Sequence, residues 1–263
     1  MFNPSTAAGV LHRMRRDRRL VLPFPGAPST VTEAALAQVA LAELVGSREP
    51  AGFKIGATGK RMQEYLGLSG PAAGFMEARN VFQGSADLLF RDFIKPGVEC
   101  EIAVRLARDL PPGSYVLEDV ADAVAEVIAG VEIVENRYDN LVSLGTPTLI
   151  ADQVYHCAAV AGVGGEDWRR LDLAALHGRI LIDGVVRDQG VSSDLMGHPF
   201  ACLAWLASSE VAAAFGGLKA GQTVMLGSVT PPVWLDGPAE VAVTFEGLGS
   251  VRVALGNGPD SLT

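Results

Sequence analysis

The clearest alternation of apolar and polar side chains runs from Val98 to Val104, where glutamates occupy two of the odd-numbered positions. Successive side chains of a β-strand leave on opposite faces, so Glu99 and Glu101 share one face while the even-numbered apolar residues share the other. The pattern therefore predicts a strand that extends to about Leu106 and carries two carboxylates side by side.

Apolar residues recur at helical spacing in other parts of the chain. Helices are predicted over residues 6–19, 30–46, 60–66, 118–128 and 199–215. Thr30 and Glu33 have the capping-box spacing of a helix start, and Gly46 ends this second helix. The first helix is rich in arginine, and we expect its arginines to form a solvated or subunit-facing surface.

Short apolar runs predict further strands. They cover Gly52–Gly56, the segment 131–134, a hairpin over 178–186 with an Asp-Gly turn, residues 222–228, and a pair over 239–255 that folds back at 247–249. Residues 67–74 are rich in small side chains and are predicted to form a flexible loop of the kind that often acts as a lid. We expect a helical N-terminal part with this lid over residues 1–75 and a β-rich core over 76–263, joined in one continuous domain.

The composition is that of a globular chain, with 49% hydrophobic and 19% charged residues among 263. A formal net charge of -9 argues against nucleic acid as a partner, because phosphates demand a basic surface. The arginine-rich start lacks the apolar run of a secretory signal, and no stretch approaches the roughly 18 apolar residues of a membrane span. Three cysteines without metal-ligand spacing fit a reducing compartment, so a cytoplasmic protein without a membrane partner is expected.

Two adjacent carboxylates repel each other unless a cation lies between them. Hard oxygen ligands suit Mg²⁺, Mn²⁺ or Ca²⁺, and Glu132 in the strand at 131–134 could supply a third. The alternative is that Glu99 and Glu101 line the wet face of an amphipathic strand, and the Glu-x-Glu pattern alone favours that interpretation. Lys54 is similarly ambiguous: it either extends to solvent, which its position alone favours, or lies near a carboxylate cluster.

Several short motifs occur in order along the chain. They are Gly52-Phe53-Lys54-Ile55-Gly56, the run from Lys95 to Ala103, the run from Val131 to Arg137, Ala151-Asp152-Gln153, Met196-Gly197-His198-Pro199 with Ala204-Trp205-Leu206-Ala207, and the run from Gly247 to Val253. Together they resemble the 2-keto-4-pentenoate hydratase and 4-oxalocrotonate decarboxylase branch of the fumarylacetoacetate hydrolase superfamily, from about residue 52 to residue 255. The resemblance reverses the interpretation of the glutamates. It implies an α+β fold with a mixed β-roll core, similar to the C-terminal part of fumarylacetoacetate hydrolase, and a helical N-terminal part.

The resemblance also implies roles for individual residues. The expected ligands of a divalent ion, Mg²⁺ or Mn²⁺, are Glu99, Glu101 and Glu132. Lys54 is the expected catalytic acid/base, with a purely electrostatic role as its alternative, and Asp152 is an expected catalytic residue in the pocket wall. Ser228 and His198 are expected to contact the substrate, although a histidine directly before a helix-starting proline more often binds local backbone groups.

The segment after the predicted lid departs from the pattern of this branch. Hydratases of the branch usually carry an acidic residue there, aligned near Ala78 or Arg79; the nearest acid is Glu77, which we expect as its catalytic replacement. Arg79 is then expected to recognise a second carboxylate of the substrate. Beside Asp152, the segment Tyr155-His156-Cys157 adds bulk that the sequence alone does not place.

The implied activity is that of a metal-dependent hydratase in aromatic catabolism, which adds water to a 2-hydroxy-2,4-dienoate to give a 4-hydroxy-2-oxo acid. Chelation of a 2-oxo acid by a divalent ion would polarise its keto group and stabilise an enolate. The same enolate forms on loss of CO₂, so a 4-oxalocrotonate-type decarboxylase is an alternative. A C–C bond hydrolase and a non-catalytic relative that binds a 2-oxo acid are further alternatives, and the resemblance implies a homo-oligomer.

Overall fold

The computed structural model describes residues 1–164 and 167–258. This part of the chain has an α+β fold in which a mixed sheet curls into a half-barrel and two longer helices precede it, which confirms the predicted fold class. Among these residues, no helix combines the length and the apolar character needed to cross a membrane.

The α-helices of the described chain are α1 (Pro4–Arg16), α2 (Val31–Leu44), α3 (Lys60–Leu66), α4 (Leu117–Ala121), α5 (Leu141–Leu144), α6 (Thr146–Ala151), α7 (Pro199–Ala207) and α8 (Glu210–Ala214). The strands are β1 (Gly52–Gly56), β2 (Ala72–Met76), β3 (Val81–Gln83), β4 (Ser85–Leu89), β5 (Pro96–Leu106), β6 (Val124–Glu135), β7 (His156–Ala161), β8 (His177–Ile182), β9 (Val185–Val191), β10 (Thr223–Ser228), β11 (Val233–Trp234), β12 (Ala239–Phe245) and β13 (Gly249–Gly256).

The larger sheet has the strand order β2-β1-β10-β5-β6-β7-β3, and β11 pairs with one end of β5. Its central strands β5 and β6 are antiparallel, with Glu99 directly opposite Glu132 and Glu101 opposite Gly130. β10 pairs with the edge of β5 that faces away from β6, and β1 runs parallel to β10. Lys54 of β1 therefore lies beside Met225 of β10. The predicted ligands therefore lie on the adjacent strands β5 and β6, and the predicted acid/base lies on β1, which β10 separates from β5.

The smaller sheet, β4-β13-β12-β8-β9, packs against the apolar face of β5 and β6. Cys100 belongs to this face and is fully buried. β8 approaches it closely at Gly178, where a Cβ atom would lie 2.3 Å from the Phe245 ring and 3.0 Å from the Cys100 Sγ. With one face of β5 buried in this apolar core, the glutamates are left on the concave face of the half-barrel.

The N-terminal helices α1 and α2 pack on each other, and α2 also packs against α6 and β2. Gln38 of α2 is fully buried and binds three backbone groups: its Nε2 donates to the carbonyl oxygens of Ala73 (2.8 Å) and Ile150 (2.7 Å), and its Oε1 accepts from Phe75 N (3.1 Å). One glutamine side chain therefore joins the helical part to β2 and to α6.

The helix predicted over residues 118–128 is wrong beyond Ala121, because β6 begins at Val124. The valines at helical spacing also suit a strand that pairs on both edges, here with β5 and β7. A strand buried on both faces reads as a continuous apolar run, so hydrophobic periodicity does not distinguish it from a buried helix.

Three other predictions need correction. The helix predicted over 199–215 is divided into α7 and α8, because Ser209 starts a new helix by accepting from Ala212 N. The predicted flexible loop over 67–74 is a loop only to residue 71, since residues 72–76 form the buried strand β2 against β1. The expected division between residues 75 and 76 falls within β2, so both parts contribute strands to one sheet.

We expect Gln38→Leu to lower the free energy of unfolding by about 3 kcal/mol, because buried backbone donors and acceptors would lose their partners. Chemical denaturation monitored by circular dichroism measures the change. The control is Gln189→Leu, the same substitution at an exposed position, which should change stability by no more than about 0.5 kcal/mol. Equal effects of the two substitutions would contradict the bridging role.

Candidate active site and metal centre

Three glutamates converge on the concave face of the half-barrel. Glu99 and Glu101 come from β5 and Glu132 from β6, and each offers a carboxylate oxygen within 4.8 Å of those of the other two. Glu101 and Glu132 are fully buried, while Glu99 is half-buried and lines a cavity. The solvent-facing alternative for the Glu-x-Glu pattern is therefore excluded by the geometry.

The hydrogen bonds around these carboxylates leave particular oxygens without a partner. Gly227 N donates to Glu101 Oε2 at 2.9 Å, whereas Glu101 Oε1 has no hydrogen-bond partner in the described chain. On Glu132, Oε1 is bound by Lys54 and His156, and Oε2 has no partner. Buried carboxylate oxygens without a partner are costly. Together they form an all-oxygen donor set that fits a hard divalent cation.

The electrostatics of the cluster point the same way. Burial, followed by the charge of Glu132, raises the pKa of Glu99 to about 8 against the effect of Lys54. Burial and the charges of Glu132 and Glu99 raise the pKa of Glu101 well above its ordinary value. Burial acts in the same direction on Glu132, but Lys54 and His156 outweigh it and lower the pKa of that carboxyl. One Lys54 cation therefore does not compensate three carboxylates.

Lys54 is buried, so the solvent-extending alternative is wrong for this residue. Its Nζ lies 3.2 Å from Glu132 Oε1 and donates to the carbonyl oxygen of Val154 at 2.8 Å. Burial lowers the pKa of Lys54, but the charges of Glu132, Glu99 and Glu101 outweigh burial, and the net shift is upward. An ammonium group has three N–H donors, so these two contacts leave one for the cavity that Lys54 lines.

His156 is a residue that the sequence interpretation did not place. It begins β7 beside β6, and its Nδ1 lies 2.9 Å from Glu132 Oε1. His156 and Lys54 therefore bind the same oxygen of Glu132, which leaves the other oxygen free to bind an ion. The clue in the sequence was the short distance of this histidine from the Asp152 motif, but its orientation depends on an irregularity in the pairing of β6 with β7.

A left-handed turn lies next to Lys54. Gln153, Val154 and Tyr155 have φ values of 61°, 51° and 66°, although none of them is glycine. Each costs roughly 1–2 kcal/mol relative to a right-handed conformation, and the cost is greatest for a β-branched residue such as Val154. The turn directs the Val154 carbonyl at Lys54. Gly74 of β2 makes room for it, since a Cβ atom there would lie 2.9 Å from Gln153 Cα.

Asp152 precedes this turn and does not line the cavity, which corrects its predicted place in the pocket wall. Its carboxylate is fully buried in an ion-pair network with Arg15 (2.7 Å) and Arg137 (3.0 Å), and it accepts from the Tyr138 hydroxyl at 2.7 Å. Burial raises the pKa of Asp152, but the two guanidinium groups outweigh burial and lower it below its ordinary value. With all of these partners, Asp152 is suited to holding the turn.

Arg15 also corrects the expectation for α1. Its guanidinium extends inward to Asp152 and Gln153, and the side chain is 19% exposed, whereas Arg16 next to it is 63% exposed. The arginines of this helix are therefore not uniformly solvated.

The cavity next to the carboxylates has a volume of about 800 Å³. Its polar lining residues include Lys54, Thr58, Lys60, Glu99, Asn136, Asp194, Ser228 and Thr230. Its apolar walls include Met62, Leu66, Val134, Tyr155, Pro231, Pro232 and Trp234. A substrate in this cavity would meet Glu99 and Lys54 together with mainly apolar side chains.

Glu77 and Arg79 are not among the residues that line this cavity. Glu77 directly follows β2 and lies near the end of β1 that is farther from Gly56. Its carboxylate is 2.7 Å from the guanidinium of Arg79, which is 69% exposed. The buried Glu77 is therefore paired with an exposed arginine, and the geometry does not support their predicted contacts with reacting groups.

Ser228 lines the cavity, but backbone groups engage its hydroxyl. The Oγ accepts from Cys100 N at 3.1 Å and donates to Cys100 O at 3.2 Å. His198 lies outside the cavity lining and caps α7, its Nδ1 accepting from Phe200 N at 3.0 Å. The local backbone interpretation thus describes His198, and its predicted contact with the substrate is not supported.

Comparisons with known proteins identify the family of this chain. A family model described as "Fumarylacetoacetate (FAA) hydrolase C-terminal" matches residues 51–255. The chain is 31% identical to a 2-keto-4-pentenoate hydratase from Burkholderia vietnamiensis over 201 residues, 76% of each chain. It is 34% identical to a 2-oxo-hept-4-ene-1,7-dioate hydratase from Escherichia coli over 199 residues, 74% of this chain and 73% of the other.

Among solved structures, the chain is similar to a 4-oxalocrotonate decarboxylase from Pseudomonas putida in complex with magnesium and adipate. The TM-score is 0.84 at 24% sequence identity, and the match covers 95% of this chain and 96% of that one. The fold is therefore that of the related decarboxylase. The chain belongs to the fumarylacetoacetate hydrolase family and is an enzyme.

We expect Glu101→Gln to weaken the binding of Mn²⁺ by about 100-fold or more, because the substitution removes the charge of a hard-ion ligand. Isothermal titration calorimetry measures the affinity, and circular dichroism should show an unchanged fold. Glu126→Gln is the matched control, since Glu126 lies on β6 in an exposed pair with Arg105. An unchanged affinity in Glu101→Gln would count decisively against the metal centre.

Proposed function

We propose that this enzyme is a divalent-metal-dependent hydratase that converts a 2-hydroxy-2,4-dienoate into a 4-hydroxy-2-oxo acid. The observation that carries the proposal is the meeting of three glutamates and a buried lysine beside a mainly apolar cavity, which Glu99 and Lys54 line. The hydratases among its relatives support the same reaction. We infer that Glu99, Glu101 and Glu132 hold Mg²⁺ or Mn²⁺, with the magnesium in the related decarboxylase as support.

The bound ion would supply an electrophile that favours the enolate form of a 2-oxo acid. The protein's own groups prepare the site for it. Lys54 and His156 bind one oxygen of Glu132 and leave the other free, and Gly227 N donates a hydrogen bond to one oxygen of Glu101. Since these contacts come from the sheet and its turns, the carboxylates are oriented before substrate arrives.

Lys54 is the group best placed to move a proton. Hydration of a 2-hydroxy-2,4-dienoate requires a proton to leave the 2-hydroxyl group, a proton to add at C5, and water to add across C3 and C4. The Lys54 Nζ has two fixed acceptors, Glu132 and Val154, and its remaining N–H is available on the cavity side. We infer that Lys54 transfers the proton or fixes the reacting end of the substrate.

The walls of the cavity favour a substrate with an apolar tail. Met62, Leu66 and Trp234 contribute apolar surface, which would exclude bulk water from the conjugated chain. Arg79, the predicted partner of a second carboxylate, lies outside the lining and is paired with Glu77. Lys60 in the lining is a cation that could take a distal carboxylate instead.

A 4-oxalocrotonate-type decarboxylase is the second candidate, because the fold closely matches that of such an enzyme and Lys60 could meet the second carboxylate of a diacid. The C–C bond hydrolase is a further alternative for the assay, whereas the non-catalytic relative is set aside because the chain is an enzyme. The homo-oligomeric state and the cytoplasmic location also remain predictions.

The deciding experiment incubates the purified chain, with Mg²⁺ and separately with Mn²⁺, with 2-hydroxypenta-2,4-dienoate, 2-hydroxyhepta-2,4-diene-1,7-dioate and 4-oxalocrotonate. Ultraviolet absorbance follows loss of the conjugated substrate, and product analysis separates water addition from CO₂ release. We expect hydration of the monocarboxylate, with loss of turnover on addition of a chelator. Release of CO₂ from 4-oxalocrotonate without hydration would favour the decarboxylase, and turnover that resists the chelator would contradict the metal-dependent reaction.

We expect Lys54→Met to lower kcat by about 10² or more while KM changes little, since the substitution removes a proton-transfer group and retains much of the side-chain volume. Steady-state kinetics on the substrate identified by the screen measure both constants. Lys219→Met is the control, because Lys219 forms a surface pair with Asp109. An effect confined to KM would mean that Lys54 only positions the substrate.

A further inference from the structure

The left-handed turn at residues 153–155 requires support from its surroundings. Three successive residues other than glycine adopt positive φ values there, and the carbonyl of the middle one, Val154, accepts the hydrogen bond from Lys54 Nζ at 2.8 Å. Such a conformation persists only where neighbouring contacts hold it. The position of Lys54 therefore depends on whatever fixes this turn.

Arg15, which lies in the N-terminal helix α1, supports the turn. Its Nε donates to Asp152 Oδ1 at 2.7 Å, its Nη2 donates to the Asp152 carbonyl oxygen at 2.6 Å, and its Nη1 donates to Gln153 Oε1. One planar guanidinium thus binds the residue before the turn through both backbone and side chain, together with the first residue of the turn. A lysine has one nitrogen and cannot make this set of contacts.

Other groups support the same segment from different directions. Arg137 and the Tyr138 hydroxyl bind the other oxygen of Asp152, and Gln153 Nε2 donates to Phe75 O. Arg137 is 2% exposed, whereas Arg15 is 19% exposed at the end of α1. Arg15 is therefore the support that can be changed with less disturbance of the buried core.

We propose that Arg15 is a positioning residue for catalysis, which acts through the turn at 153–155 to hold the Nζ of Lys54 at Glu132. The inference rests on the proposed function, because it assigns Lys54 to the chemical step. Arg15 lies outside residues 51–255, the part matched by the family model. The N-terminal helix thus contributes to an active site whose other groups come from the shared core.

The test compares Arg15→Ala with the control Arg16→Ala. The control also removes one positive charge from α1, but Arg16 is exposed and pairs with Asp17. We expect kcat to fall by about tenfold or more in Arg15→Ala with KM within about twofold, because small displacements of a reacting group lower the rate strongly. Added guanidinium should restore part of the kcat of Arg15→Ala and leave Arg16→Ala unchanged. Arg15→Lys, which keeps the charge but not the fork, should lie between wild type and Arg15→Ala.

A double-mutant cycle tests whether the effect passes through Lys54. In a Lys54→Met background, Arg15→Ala should lower the residual rate no further. If Arg15→Ala lowers that rate by the same factor as in the wild type, Arg15 does not act through Lys54 and the proposal is overturned.

Hydrogen exchange provides a readout that needs no turnover. We expect faster exchange in peptides covering residues 149–157 of Arg15→Ala, with exchange in β5 unchanged and with Arg16→Ala like the wild type. Unchanged exchange in the turn, or faster exchange with an unchanged kcat, would overturn the proposal. If the wild type has no hydratase activity but the turn loses protection as expected, the proposed function fails while the role of Arg15 in the turn stands.

If β5 also loses protection in Arg15→Ala, the comparison is made with Arg15→Lys. That variant should then retain wild-type exchange in β5 while its turn exchanges faster and its kcat falls. A kcat equal to the wild type in a folded Arg15→Lys with a loosened turn would count against the positioning role.

Discussion

Repulsion among three carboxylates, two of them fully buried, is the constraint on which the rest of this structure depends. Glu101 and Glu132 are fully buried beside Glu99, and burial of uncompensated charge in a protein is costly. Lys54 supplies one positive charge, and the free oxygens of the cluster suit a divalent ion that would supply the remainder. The site is thus an electrostatic arrangement that a divalent cation would complete, held on strands whose other face forms the apolar core.

The surrounding contacts decide which carboxylate oxygens stay available. His156 and Lys54 bind one oxygen of Glu132, and Gly227 N binds one oxygen of Glu101. Behind them, the ion pairs of Asp152 with Arg15 and Arg137 hold the strained turn that presents the Val154 carbonyl to Lys54. The strain at 153–155 is therefore located where an active site needs a fixed donor position, and buried ion pairs far apart in the sequence maintain it.

The N-terminal helices contribute side chains that bind the sheet and the turn beside Lys54. Gln38 of α2 binds backbone groups of β2 and α6, and Arg15 of α1 reaches the turn beside Lys54. The strands that carry the three glutamates do not include these supporting side chains. The cavity is bordered by α3 and by the segment after β10. Residues outside the central strands, including Met62 and Pro231, therefore contribute to the polarity of its walls.

The sequence by itself determined the strand that carries Glu99 and Glu101, the helix that starts at Thr30, and the Asp-Gly hairpin, because alternation, capping and turn chemistry are local properties. The family motifs also led to the correct group of enzymes. Only the tertiary structure decided that residues 124–128 join a sheet, that His156 binds Glu132, that Asp152 pairs with Arg15, and that Glu77 and Arg79 lie outside the cavity. These outcomes depend on strand pairing, on irregularities in register and on ion pairs between residues up to 137 positions apart, which local patterns do not encode.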